Sequence, residues 1–129
     1  MATIKRFEDL EIWQEARKLA KEIHQISLTT PLKTDFRLQQ QIKASSGSIM
    51  DNIAEGFERD GNTEFRQYLA IAKGSSGETR SQLYRLLDYE YISEKQFVDL
   101  KTQYENLSGK IQNFMAYLNK QDFKGTKFR

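Results

Sequence analysis

The chain has 129 residues, 38% hydrophobic and 29% charged, with one histidine, no cysteine and a formal net charge of +2. That fits one domain of ordinary composition; disulfides and thiolate chemistry are excluded, and no apolar run reaches the roughly 20 residues of a membrane span. Residues 1–6 lack the apolar segment of a secretion signal, so a cytoplasmic location is expected, and the mild charge permits a nucleic-acid partner without arguing for one.

Ile12, Ala16, Leu19, Ile23 and Ile26 recur at spacings of four and three, which predicts an amphipathic helix over about residues 8–27. The only proline, Pro31, then breaks the chain. Leu38, Ile42, Ser45, Ile49 and Ile53 resume the rhythm in a second helix, about 35–57. Glu58-Arg59-Asp60-Gly61-Asn62-Thr63 is rich in turn formers. A third helix, about 63–89, carries Phe65, Leu69, Ala72, Ser76, Thr79, Leu83 and Leu86 in one register. Ser93-Glu94-Lys95-Gln96 has the pattern of a capping box. It opens a fourth helix, about 94–120, with Phe97, Leu100, Tyr104, Leu107, Ile111, Phe114 and Leu118 facing inward. The tail, residues 121–129, is expected to be flexible. No segment alternates with period two, and the links are short. The expectation is an all-α chain: a single antiparallel up-down-up-down four-helix bundle.

Two stretches resist this pattern, Asn52-Ile53-Ala54-Glu55-Gly56 and Gly74-Ser75-Ser76-Gly77-Glu78. Each glycine costs about 1 kcal/mol relative to alanine inside a helix, so something must compensate. In an antiparallel hairpin turning near residues 60–61, level positions have numbers summing to about 121. Ala44-Ser45-Ser46-Gly47-Ser48 then faces Lys73-Gly74-Ser75-Ser76-Gly77. A close backbone approach is expected there, with Ser46 and Gly74 at the contact. Ser45, Ser46, Ser75 and Ser76 should bond one another or the carbonyl one turn back, and Asn52 should cap or bridge within the hairpin. Ser75 and Glu78 also fit a capping box, which would restart the third helix at Gly74. The unbroken apolar register favours one continuous helix.

The same level rule tests an enzyme reading. Glu55 and Glu78 fall about 18 Å apart along the bundle at about 1.5 Å per residue, too far to share a proton or a metal. Glu55 is expected to meet Arg66 or Arg59, and Glu78 to meet Lys43. A di-iron bundle needs Glu-x-x-His motifs, but the single His24 is preceded at that offset by Lys21. His24 is expected at the surface or rim. Triads and phosphate-cradling loops find no support either. No catalytic residue, metal ligand, cofactor or small-molecule substrate is predicted.

Phe7-Glu8-Asp9-Leu10 with Trp13-Gln14, then Ser48-Ile49, Asn52-Ile53-Ala54-Glu55-Gly56, Arg59, Phe65, Gly74-Ser75, Glu78 and Gln82-Leu83 resemble the four-helix-bundle proteins of the 23S rRNA intervening-sequence family. The resemblance covers about residues 6–119. It implies a small bundle that assembles into a ring, commonly a pentamer; a similar protein is the accessory factor of diversity-generating retroelements, a basic ring that works with nucleic acid. Relatives often carry Pro then Ser where this chain has Met50-Asp51, so no proline kink is expected.

Two functions are then open. One is a non-catalytic homo-oligomer associated with RNA or DNA. Its candidate contacts are Lys5, Arg6, Arg17, Lys18 and Lys21 near the start, and Lys120, Lys124, Lys127 and Arg129 at the end. Phe123 and Phe128 interleave that end and could stack on bases; the same tail also reads as solvated chain. Glu8, Glu11, Glu15 and Glu22 dilute the first-helix cations. The other is a scaffold that binds proteins, since Tyr68, Ile71, Met115 and Tyr117 widen the apolar stripes and aromatics favour interfaces.

Overall fold

Every predicted break is a turn and every apolar stripe a helix. The computed structural model describes residues 4–120; the tail 121–129, with Phe123, Lys124, Lys127, Phe128 and Arg129, lies outside the described residues. The helices are α1 (Glu11–Thr29), α2 (Phe36–Glu58), α3 (Asn62–Asp88) and α4 (Glu94–Lys120), with short 3-10 turns at Phe7–Asp9 and Pro31–Lys33. No strand occurs among the described residues. The architecture is the up-down-up-down bundle. Consecutive helices pack closely, while α1 and α4 close the bundle most loosely.

Local chemistry sets the ends. α1 starts later than the pattern predicts because residues 7–9 wind a 3-10 turn that lays Phe7 edge-on against Trp13, 5.2 Å between centroids. It stops at Thr29 because Thr30 precedes Pro31 and is forced into extended backbone, φ −127° and ψ 173°. Asp35 caps α2 by accepting from the Leu38 amide at 3.3 Å. The α2–α3 turn uses Gly61 at φ +94°, a conformation other residues avoid. The capping box before α4 is reciprocal: the Gln96 amide donates to Ser93 Oγ at 3.1 Å, and the Ser93 amide donates to Gln96 Oε1 at 3.0 Å. α3 runs unbroken through Gly74.

The stripes meet in one core. Ile23, Ile42, Ile49, Ile53, Phe65, Leu69, Leu83, Leu86, Leu107 and Ile111 are fully buried. Each contributes about 1.5–3 kcal/mol on leaving water. Near the α2–α3 turn Phe65 packs against Phe57 on α2 and Phe114 on α4, at 6.0 and 5.5 Å between centroids. This binds the turn to the fourth helix.

Candidate functional site

The family-like residues gather on the α2–α3 hairpin, so its chemistry comes first. Gly56 is buried, and a Cβ there would lie 2.6 Å from Tyr68 Cβ and 3.0 Å from Phe65 Cδ1. No side chain fits, and that is why the two helices can close on each other. One turn along, Arg59 donates to Glu55 at 3.2 Å and to the Tyr68 hydroxyl at 2.9 Å, and Tyr68 donates to Glu55 at 3.1 Å. Glu55 therefore meets Arg59 and Tyr68, with Arg66 uninvolved. Glu55 and Arg59 are exposed and Tyr68 half-buried, and together they latch the hairpin.

Further along, the seam is polar. Ser45 Oγ donates to Gln82 Oε1 at 2.6 Å, lies 2.9 Å from Thr79 Oγ1 and is within 3.2 Å of the Ile42 carbonyl. Thr79 donates back to the Ser75 carbonyl at 2.9 Å. Ser48 and Ser75 share a 3.0 Å bond, and Asn52 Nδ2 donates to the Ser48 carbonyl at 2.8 Å and its hydroxyl at 2.9 Å. Asn52 thus bridges one turn back on its own helix. Buried hydroxyls cost about 1–3 kcal/mol if left unpaired, and these are paired. Thr79, Gln82 and Ser48 belong to this network although the sequence assigns none of them a hydrogen-bonding role there. Thr79 looked like a core position, and a glutamine among apolar neighbours carries no local signal of its partner.

Three expectations need correction. Gly74 does not touch α2: it is exposed, and a Cβ there would meet nothing within 4 Å. Its position lies on the outer face of α3, because the contacts of Ser75 and Thr79 turn the helix so that Gly74 points away. Ser76 leaves the hairpin and bonds α4, lying 2.8 Å from Ser108 Oγ and donating to the Tyr104 carbonyl at 3.3 Å. Ser46, about 100° round the helix from Ser45, donates to the Lys43 carbonyl one turn back at 3.2 Å, one of the two partners expected for it. Glu78 meets Gln82 Nε2 at 3.3 Å instead of Lys43. For Gly74 and Ser76 a small change in heading, at about 100° per residue, points the residue to another face.

The cations form a second candidate surface, on α1. Glu11 and Glu15 are drawn to the α4 side, where Lys110 donates to them at 3.3 and 2.8 Å. The hydrogen bond to Glu15, with help from Glu11, raises the Lys110 pKa. Glu22 is half-buried on the same flank and acts on Tyr104 across the seam. Arg17, Lys21 and His24, spaced four and three on a different flank, are exposed, as is Lys18 at the edge of the α1–α4 groove. None of Arg17, Lys18 and Lys21 forms an ion pair among the described residues, and Arg17 lies over the Trp13 ring, 5.7 Å from its centroid. Folding separates charges that the sequence interleaves. Lys5 is exposed, Arg6 approaches Asp9 at 3.6 Å with both side chains largely solvated, and Lys120 is exposed at the end of α4.

Among the described residues no group of three or more His, Asp or Glu side chains is placed to hold a metal ion. No helix among them is long and apolar enough to cross a membrane.

A family model described as 23S rRNA-intervening sequence protein matches residues 8–113. A solved structure of a protein of unknown function from the S23 ribosomal protein family of Bacteroides thetaiotaomicron is 22% identical and superposes with a TM-score of 0.75. The match covers 81% of this chain and 95% of that one, a likeness of fold. No curated protein matches the sequence.

Proposed function

Since this chain belongs to the 23S rRNA-intervening sequence protein family, we propose that it is a non-catalytic, cytoplasmic, homo-oligomeric bundle that holds RNA on the basic face of α1. The observation that carries the reading is the sorting of charge on that helix. Glu11 and Glu15 are occupied by Lys110, while Arg17, Lys18 and Lys21 face solvent without acidic partners among the described residues. When such a stripe neutralises the phosphates of a polyanion, condensed counterions are released to the solvent, which favours association. The ring implied by the sequence resemblance would repeat it on every protomer, multiplying weak contacts. The carboxylates Glu55 and Glu78 sit in separate hydrogen-bonded settings, which supports a structural role for both.

Binding of labelled RNA to the intact protein, followed by anisotropy as salt rises, tests this. Affinity should fall steeply with salt, and Lys18→Ala with Lys21→Ala should weaken all RNAs alike and flatten the slope. Absence of binding at low salt would sink the reading. Light scattering checks the assembly separately, where a monomer at micromolar concentration removes the ring. A scaffold that binds proteins is the second reading. It draws on the outer face of α3, where Ile71 is 52% exposed and no atom of the protomer would meet a Cβ built on Gly74. RNA binding that survives Ile71→Lys, alongside an unchanged oligomer, would remove its support.

A further inference from the structure

Resting on the RNA reading above, we infer that the Phe7–Trp13–Arg17 stack is a platform for an unpaired base, so that α1 prefers single-stranded RNA to duplex. Phe7 meets the Trp13 ring edge-on at 5.2 Å, and Arg17 lies over the Trp13 ring at 5.7 Å. The 3-10 turn at residues 7–9 and the first turns of α1 fix the two rings, since Phe7 and Trp13 are both half-buried against the core. Arg17 is exposed. Its guanidinium carbon lies 5.7 Å from the indole centroid, so an exposed planar cation and the Trp13 ring sit within reach of one base.

A guanidinium plane is one of the surfaces on which splayed-out bases stack in RNA recognition. A duplex hides its base faces in its own stack and offers only phosphates and groove edges. Lys21, one turn beyond Arg17 on the same flank, is exposed and placed to meet a phosphate flanking a stacked base. A lysine stripe alone would not distinguish the two forms of RNA; a guanidinium beside an indole does, because it offers a planar face to a base as well as charge to a phosphate.

The chain has a single tryptophan, so its fluorescence reports on this stack directly. The intact protein is titrated with an oligouridylate of about 12 nucleotides, a length within the range single-strand sites cover, and with a duplex of equal phosphate number. The single strand should quench Trp13 and bind tighter. Arg17→Lys keeps the charge and removes the plane. It should weaken single-strand binding about tenfold, in line with the loss of one stacked base, and leave duplex affinity and the salt slope unchanged. Equal binding of both RNAs with no response to Arg17→Lys would overturn the platform while leaving the basic face intact as a polyanion site. Binding without any change in Trp13 emission would do the same. Failure of both RNAs to bind at low salt would instead remove the underlying reading.

Discussion

The bundle closes its two outer seams in opposite ways. Between α2 and α3 the helices are brought together by a missing side chain, Gly56, and by hydroxyls that satisfy one another. Between α1 and α4 they stay apart. A groove of about 430 Å³ lined by Glu15, Lys18, Leu19, Asn106, Gly109 and Lys110 separates them, bridged by the Lys110 fork to Glu11 and Glu15. Small polar groups with short reach need close contact and fix a geometry; long charged side chains span a gap and tolerate variation. The tight seam holds the hairpin that carries most of the family-like residues. The open one frees the outer face of α1.

The contrast predicts an ordered series of stability effects. Gly56→Leu should be the most damaging, about 3 kcal/mol or more, because even a Cβ would sit 2.6 Å from Tyr68 Cβ and the helices would have to part. Denaturant melts would register it, and a variant as stable as the parent would mean the seam is not closed at Gly56. Ser45→Ala comes next, at about 1–3 kcal/mol, since Gln82 and Thr79 lose their shared partner in a buried site. A melt shifted by only a few tenths would show that the network carries little.

Tyr104 tests the other side. Its ring is fully buried and its hydroxyl has no protein partner among the described residues. Burial, with a smaller effect from Glu22, raises its pKa well above that of an exposed tyrosine. The folded protein then keeps the proton longer than the unfolded chain. This contribution is intact below the ordinary tyrosine value of about 10 and is lost as pH climbs from there towards the raised folded value. Tyr104→Phe should gain about 1 kcal/mol at neutral pH and flatten the alkaline fall of a melt series. An unchanged alkaline limb would argue that the hydroxyl is not buried in solution. Smallest is Lys110→Ala, which should shift the melt less than Ser45→Ala does because the fork is open to solvent and screened by salt. A loss as large as that of Ser45→Ala would erase the distinction between the seams.

Periodicity, the proline break, the capping box and the turn cluster made the four helices and their order legible from sequence, because those signals act within a turn or two of the chain. The registry of the hairpin was legible only coarsely. A level rule brought the Ser/Gly runs near each other but could not tell Ser45, which crosses to α3, from Ser46, which does not, nor place Ser76 against α4. At about 100° per residue, one position changes the face a side chain serves. Gly56 and Gly74 looked alike as glycines in helices, yet only the first has a neighbour that forbids a side chain.

By itself, then, the sequence determined the helix count, the apolar faces, the antiparallel order and the family-like motifs. All of these depend on neighbours a few residues apart. Tertiary structure decided which small residues touch and which carboxylates are occupied. It also decided that the acids of α1 turn towards Lys110 while Arg17 and Lys21 turn outward. Those outcomes depend on the rotation of one helix against another, which is fixed by packing across the core and is written in no single segment of the chain.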